Sequence, residues 1–185
     1  MINLSRIVAS VLMVFASLSL PAQTLDNFTL TNALDGAQVS LQDYGQKTGV
    51  VIIFTVNNCA FDEHYATRIK TLNTPSIPVL LVNSDASQSA ETMRAYAQRM
   101  RFDMPYLADK DKLLMKKLGA RKSTEAFLLK NNKGVFTVVY RGAIDDNPQM
   151  PADVRNAYLH RAIDNMLANR PIDAATIRAT GCNIN

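Results

Sequence analysis

The chain of 185 residues is long enough for one domain with a full hydrophobic core. Its 48% hydrophobic and 19% charged residues exclude a disordered protein. A net charge of +4, spread along the chain without a basic run or interleaved aromatics, argues against a nucleic-acid partner.

Met1 to Arg6 is a short start with one positive charge, followed by the apolar run IVASVLMVFASLSL (Ile7–Leu20) and then Pro21-Ala22. A basic start, a short apolar core and a small-residue end predict a secretory signal peptide over residues 1–22. Its removal takes Arg6 and leaves a balance of +3. The remainder divides into a domain over residues 23–171 and a tail over 172–185 that carries Cys182. After the apolar start no stretch is long enough to span a bilayer, so the expected destination is periplasmic or secreted, free of the membrane. Disulfides persist there, and Cys59 and Cys182 read as a candidate redox couple.

Asp35-Gly36 between Phe28-Thr29-Leu30 and Val39-Ser40-Leu41 predicts a β-hairpin. Gly49–Thr55 is a continuous β-branched run, the pattern of a strand buried on both faces, and Ile77–Asn83 is a second. Between them Phe61, Tyr65, Ile69 and Leu72 fall at helical spacing. Ser89 caps a helix with Met93, Tyr96, Ala97 and Met100 on its apolar face. Pro105-Tyr106-Leu107 suits a short strand, and Asp109 caps a small helix that stops at Gly119. Ala126–Leu129 and Val135–Tyr140 form strands joined by the turn Asn131-Asn132-Lys133-Gly134. A last helix is expected from Pro151 to before Pro171, burying Leu159, Ile163, Met166 and Leu167.

This order and these residues resemble the thioredoxin-like redoxin family, in the extracytoplasmic branch related to alkyl hydroperoxide reductases and thiol-specific antioxidants. The opening hairpin, Phe54–Cys59, Met104–Asp109, Ala126–Leu129, Tyr140–Asp146 and Gly181-Cys182 carry the resemblance. It implies an α/β thioredoxin-like fold, a central mixed sheet flanked by helices with an N-terminal β-hairpin. It implies thiol redox chemistry, in a thiol–disulfide oxidoreductase or peroxiredoxin-like enzyme, with no cofactor and no metal. Cys59 is then the nucleophile, Cys182 the resolving thiol, and Asn58 and Thr124 the substrate-binding residues. The implied partners are a protein or small-molecule disulfide, or a peroxide, and an external thiol reductant.

The chain departs from the family at two points. Phe61 and Asp62 stand where a thioredoxin-type site continues to its resolving cysteine, and Ala60 replaces a proline many redoxins carry. Thr124, in Ser123-Thr124-Glu125-Ala126-Phe127, stands where the family places a cis-proline; a cis bond there costs roughly 3 kcal/mol, so Thr124 is expected to be trans or strained.

A thiol at a helix N-terminus is favoured as thiolate, the nucleophile for disulfides and peroxides, whereas Asp62 and Glu63 in the first turn oppose ionisation. Cys59 and Cys182 leave three alternatives open: a cycling disulfide, a staple in a non-catalytic binding module, or two unpaired thiols. His64 and His160 read as surface residues, and Arg68 and Arg141 as candidates for supporting charge. Thr55 precedes Cys59 by four residues rather than the three of peroxiredoxins, which counts against a standard peroxidase. Asp145-Asp146 reads as a turn.

Overall fold

The computed structural model describes residues 23–172 and 176–184, so the expected signal peptide over 1–22 lies outside the described residues. In chain order the elements are β1 (Thr24–Leu25), β2 (Thr29–Asn32), β3 (Gln38–Ser40), β4 (Gly49–Phe54), α1 (Ala60–Leu72), β5 (Val79–Asn83) and α2 (Ala90–Met100). There follow β6 (Tyr106–Ala108), α3 (Leu113–Leu118), β7 (Ala126–Asn132), β8 (Val135–Gly142), α4 (Tyr158–Leu167) and β9 (Thr176–Ile177). The strands form one sheet in the order β1-β8-β7-β4-β5-β6-β2-β3, with β9 also beside β8. β4, β5 and β6 run parallel, β7 is antiparallel to β4, and β8 is antiparallel to β7. That is the mixed thioredoxin-like sheet expected when strand–helix–strand crossovers give way to a hairpin.

All six residues of β4 are buried because both faces of the sheet are covered. Val51 and Ile53 point toward Tyr65 and Ile69 of α1, Met93 of α2 and Leu159 of α4. Val50, Ile52 and Phe54 face the other core, with Leu114 and Leu118 of α3 and Phe136. The β2–β3 hairpin forms with Thr29 opposite Ser40, and the Asp35 carboxylate accepts the Ala37 N–H at 2.9 Å in its turn. Ser89 caps α2 by accepting the Thr92 N–H at 3.1 Å. Asp109 serves α3 from outside the helix, its carboxylate accepting the N–H groups of Leu114 and Met115 at 3.1 and 2.9 Å.

The last helix is shorter than the sequence predicts. Pro151–Asp153 makes only a 3-10 turn, and α4 begins at Tyr158. Between them Asp146 holds the chain away from helical geometry, its carboxylate accepting from the Arg155 N–H at 3.0 Å and Asn156 Nδ2 at 2.9 Å. Leu159 and Met166 are buried as expected, with Ala162 between them. Ile163 is half-buried, and Leu167, one position past this stripe and about 100° around the helix, is 48% exposed.

Asp145 is buried and accepts from Arg68 Nη1 at 2.6 Å and the Tyr65 hydroxyl at 2.9 Å, tying α1 to the loop after β8. The C-terminal segment returns to the same end of β8. β9 pairs with Arg141 and Gly142, and the Ala143 N–H donates to the Ile177 carbonyl at 3.1 Å. Gly142, at φ 136°, permits this crossing, since any Cβ there would collide with the Ile177 backbone. No helix among the described residues is long and apolar enough to cross a membrane.

Candidate active site around the Cys59–Cys182 disulfide

β4 delivers the chain to the site. Asn58 turns it at φ 67°, a left-handed conformation that Asn tolerates better than most residues, and Cys59 follows as the N-cap of α1. The Cys59 side chain makes no capping hydrogen bond. It is 1% exposed and is joined to Cys182, 123 positions later, by a disulfide whose Cα atoms are 6.1 Å apart. The two sulfurs differ in access, because Cys182 is only half-buried.

Ser123 seats the tail on the helix end. Its N–H donates to the Cys182 carbonyl at 2.8 Å, and its Oγ accepts the Cys182 N–H at 3.0 Å while lying 3.3 Å from Cys59 Sγ. Lys122 and Asn183 form an antiparallel bridge, the Ile184 N–H donates to the Arg121 carbonyl at 3.1 Å, and the Ile184 side chain is buried. The tail therefore lies across residues 121–124 as a short added strand. Gly181 makes this approach possible, since a Cβ there would collide with the Ser123 carbonyl. Gly181→Ala is expected to push the tail off Ser123 and make the disulfide about tenfold easier to reduce at equilibrium, a loss of about 1.4 kcal/mol. Titration of both proteins against dithiothreitol checks it; equal midpoints would show that the contact is unimportant.

Every peptide bond among the described residues is trans, Thr124 included. Thr124 is strained instead, a β-branched residue at φ 57°. It is held by its N–H donating to the Phe54 carbonyl at 2.7 Å and its hydroxyl donating to the Thr180 carbonyl at 3.0 Å. The tail thus covers Thr124, while Asn58 is exposed. Asn58 lines an open cleft of about 400 Å³ together with Asn57, Thr92, Tyr96 and Arg99.

The two acids of the first helical turn behave differently. Glu63 is exposed and pairs with Arg99 at 2.9 Å. Asp62 is 1% exposed, and neither of its carboxyl oxygens has a hydrogen-bond partner among the described residues. Burial pushes its pKa up to about 7, and the Ser123 side chain offsets part of the rise. Near neutrality Asp62 is thus partly protonated rather than a fixed charge opposing the Cys59 thiolate. The signal was the helical spacing itself: Asp62, Tyr65, Ala66, Ile69 and Leu72 form the buried stripe of α1, and Phe61 is only half-buried.

The other candidates lie apart from the sulfurs or are already engaged. Both Arg68 Nη atoms donate to the Asp145 loop, and Arg141 pairs with buried Glu125 at 3.1 Å. The Thr55 hydroxyl donates to the Tyr106 hydroxyl at 3.0 Å, and Tyr106 in turn donates to Asn57 Oδ1 at 2.8 Å. His64 and His160 are exposed.

None of the curated proteins compared with the chain matches it significantly. Among solved structures it is similar to an uncharacterized conserved protein from Geobacillus kaustophilus, at 28% identity and a TM-score of 0.77, over 89% of this chain and 90% of that one. A hypothetical protein from Sinorhizobium meliloti matches at 24% identity and a TM-score of 0.75, over 88% of this chain and 92% of that one. The exposed lipoprotein thioredoxin of Streptococcus pneumoniae shares the fold at 19% identity and a TM-score of 0.56, over 66% of this chain and 93% of its own. The AhpC/TSA family model matches residues 21–146, from ahead of the hairpin to Asp146, and the chain belongs to the AhpC/TSA family.

Proposed function

We propose that the protein is an exported thiol–disulfide oxidoreductase of the redoxin type, with Cys59 as nucleophile and Cys182 as resolving thiol. The observation that carries this reading is the disulfide between a buried sulfur at a helix N-terminus and a half-buried sulfur on a docked tail. In the reduced state the Cys59 thiolate attacks one sulfur of a substrate disulfide and expels the other as a thiolate. Cys182 then attacks Cys59 Sγ, expels the second substrate thiolate and closes the Cys59–Cys182 bond. The substrate gains two electrons and the dithiol loses two. To reset the site, an external thiolate attacks the more accessible Cys182 sulfur with Cys59 as leaving group, and a second thiolate then attacks the reductant's sulfur in that mixed disulfide, releasing Cys182 and the oxidised reductant.

Asn58 and Thr124 are the proposed substrate contacts, Asn58 from the open cleft and Thr124 once the tail is released. Export rests on the apolar run at residues 7–20, which puts the working chain at 23–171 plus its tail, in the periplasm or outside the cell. The likeness to an exposed lipoprotein thioredoxin supports that destination. A peroxide would enter the same cycle through a sulfenic acid on Cys59, but the Thr55 hydroxyl is engaged with Tyr106, which favours disulfides.

The tail contacts also favour a second reading, a disulfide that only fastens the tail of a binding module. Turnover separates the two. Reduction of a model protein disulfide by dithiothreitol is expected to fall to background with Cys59→Ser, while Cys182→Ser accumulates a mixed disulfide on Cys59. Full activity in Cys59→Ser would overturn the proposal.

A further inference from the structure

We propose that Asp62 is the buried proton carrier of the Cys59–Cys182 couple, acting on Cys59 through the Ser123 hydroxyl. The proposal rests on the reading of that disulfide as a cycling one. Asp62 lies one helical turn after Cys59, at a position where a carboxylate ordinarily reaches back to the N-cap N–H. Here it does not, and both oxygens are buried without a partner among the described residues. An orphaned carboxyl of this kind is costly and has no packing justification, since an apolar side chain would fill the α1 stripe at lower cost.

The neighbours explain its state. From α1 comes Glu63, exposed and paired with Arg99 of α2. From α2 comes the Tyr96 hydroxyl, buried and also without a partner among the described residues. From β6 comes Tyr106, whose hydroxyl is already engaged by Thr55, Asn57 and Asn83. Burial above all pushes both tyrosines up, which leaves Asp62 as the buried acid beside Cys59 that exchanges a proton near neutrality. Ser123 lies beside both, its Oγ at 3.3 Å from Cys59 Sγ and its side chain close enough to Asp62 to hold down part of the rise in the carboxyl's pKa. In the oxidised state that oxygen is held by the Cys182 N–H. That acceptor role leaves the Ser123 hydroxyl proton free, and once the Cys59–Cys182 bond is broken the hydroxyl bridges Cys59 and Asp62.

An external thiolate attacks Cys182 Sγ, the S–S bond breaks, and its electron pair stays on Cys59 Sγ. Ser123 gives its hydroxyl proton to that thiolate as it takes one from Asp62, leaving a Cys59 thiol and an Asp62 carboxylate. In the opposite direction the carboxylate withdraws the Cys59 proton by the same route, and the thiolate attacks the substrate disulfide.

Two measurements on the full chain test this. In Cys182→Ser, thiolate absorbance near 240 nm should show Cys59 titrating together with Asp62; adding Asp62→Asn should lower its apparent pKa by about one unit or more. In the oxidised chain, the rate of reduction by a water-soluble phosphine is compared between wild type and Asp62→Asn across pH. The ratio should be about tenfold below pH 6 and approach one above pH 8, a general-acid contribution that vanishes as the acid ionises. Ser123→Ala, which keeps the carboxyl, should lose the same advantage. Identical thiolate curves, or a rate ratio that does not change with pH, would overturn the proposal. If the folded wild type resists the phosphine at every pH, the cycling reading falls, and the thiolate titration alone decides whether Asp62 and Cys59 share a proton.

Discussion

Replacing Cys182 by serine is expected to lower the unfolding free energy of the oxidised protein by about 5 kcal/mol. Residues 123 positions apart in sequence are cross-linked, and a closed loop of that length removes much of the conformational freedom of the unfolded chain. The tail adds little that survives the loss of the bond. β9 is two residues long, and beyond it the segment is held by one hydrogen bond each to Arg121 and Thr124, two to Ser123, and the buried Ile184 side chain. In urea this amounts to a fall in midpoint of about 2 M. Wild type reduced with dithiothreitol should unfold with Cys182→Ser; coincident curves for oxidised and reduced wild type would show that the cross-link contributes nothing.

Stability should also fall as the pH rises from about 4 to about 7, because of Asp62. Burial pushes its pKa up to about 7, so the folded chain keeps a proton that the unfolded chain has already released. The favourable neutral form is fully present below the unfolded value near 4. Its contribution is lost as the pH climbs through the folded value and changes no further above it. The buried carboxylate then costs on the order of 4 kcal/mol. Asp62→Asn removes the titration, and should raise stability by about 2–4 kcal/mol at pH 8 while changing it by under about 1 kcal/mol at pH 5. Denaturant unfolding of both proteins at the two pH values checks this. An equal difference at both would mean that Asp62 does not titrate between them.

Most of the fold was legible because local and tertiary preferences agree. The unbroken apolar run at Gly49–Phe54 reads as a two-sided buried strand, and it is one. Asp35-Gly36 marks the hairpin, Ser89 caps α2, and Gly119 ends α3 in a left-handed turn. The start of α4 was not legible. Pro151 is a good first helical residue, but the long-range Asp146 contacts with Arg155 and Asn156 override it. At the site, the pattern located Cys59 and flagged the absent cysteine at Asp62 and the absent proline at Thr124. It did not reveal that Asp62 is buried, because an acid in a first helical turn ordinarily faces solvent and the dipole. Nor did it reveal Ser123 as the contact between tail and helix end, since that depends on where a segment about sixty positions later comes to rest. Thr124 shows the same dependence, with its left-handed backbone held by Phe54 and Thr180 from two other parts of the chain.

The proposed cycle requires the Cys59–Cys182 bond to open and close in the folded protein. Its most direct test is to count free thiols after equilibrating the chain in graded thiol/disulfide buffers, with circular dichroism recorded on the same samples. A reversible two-electron transition is expected at a potential above about −300 mV with the fold intact. A bond that yields only when the protein unfolds would contradict it, and would leave Cys182 as a fastener for the tail.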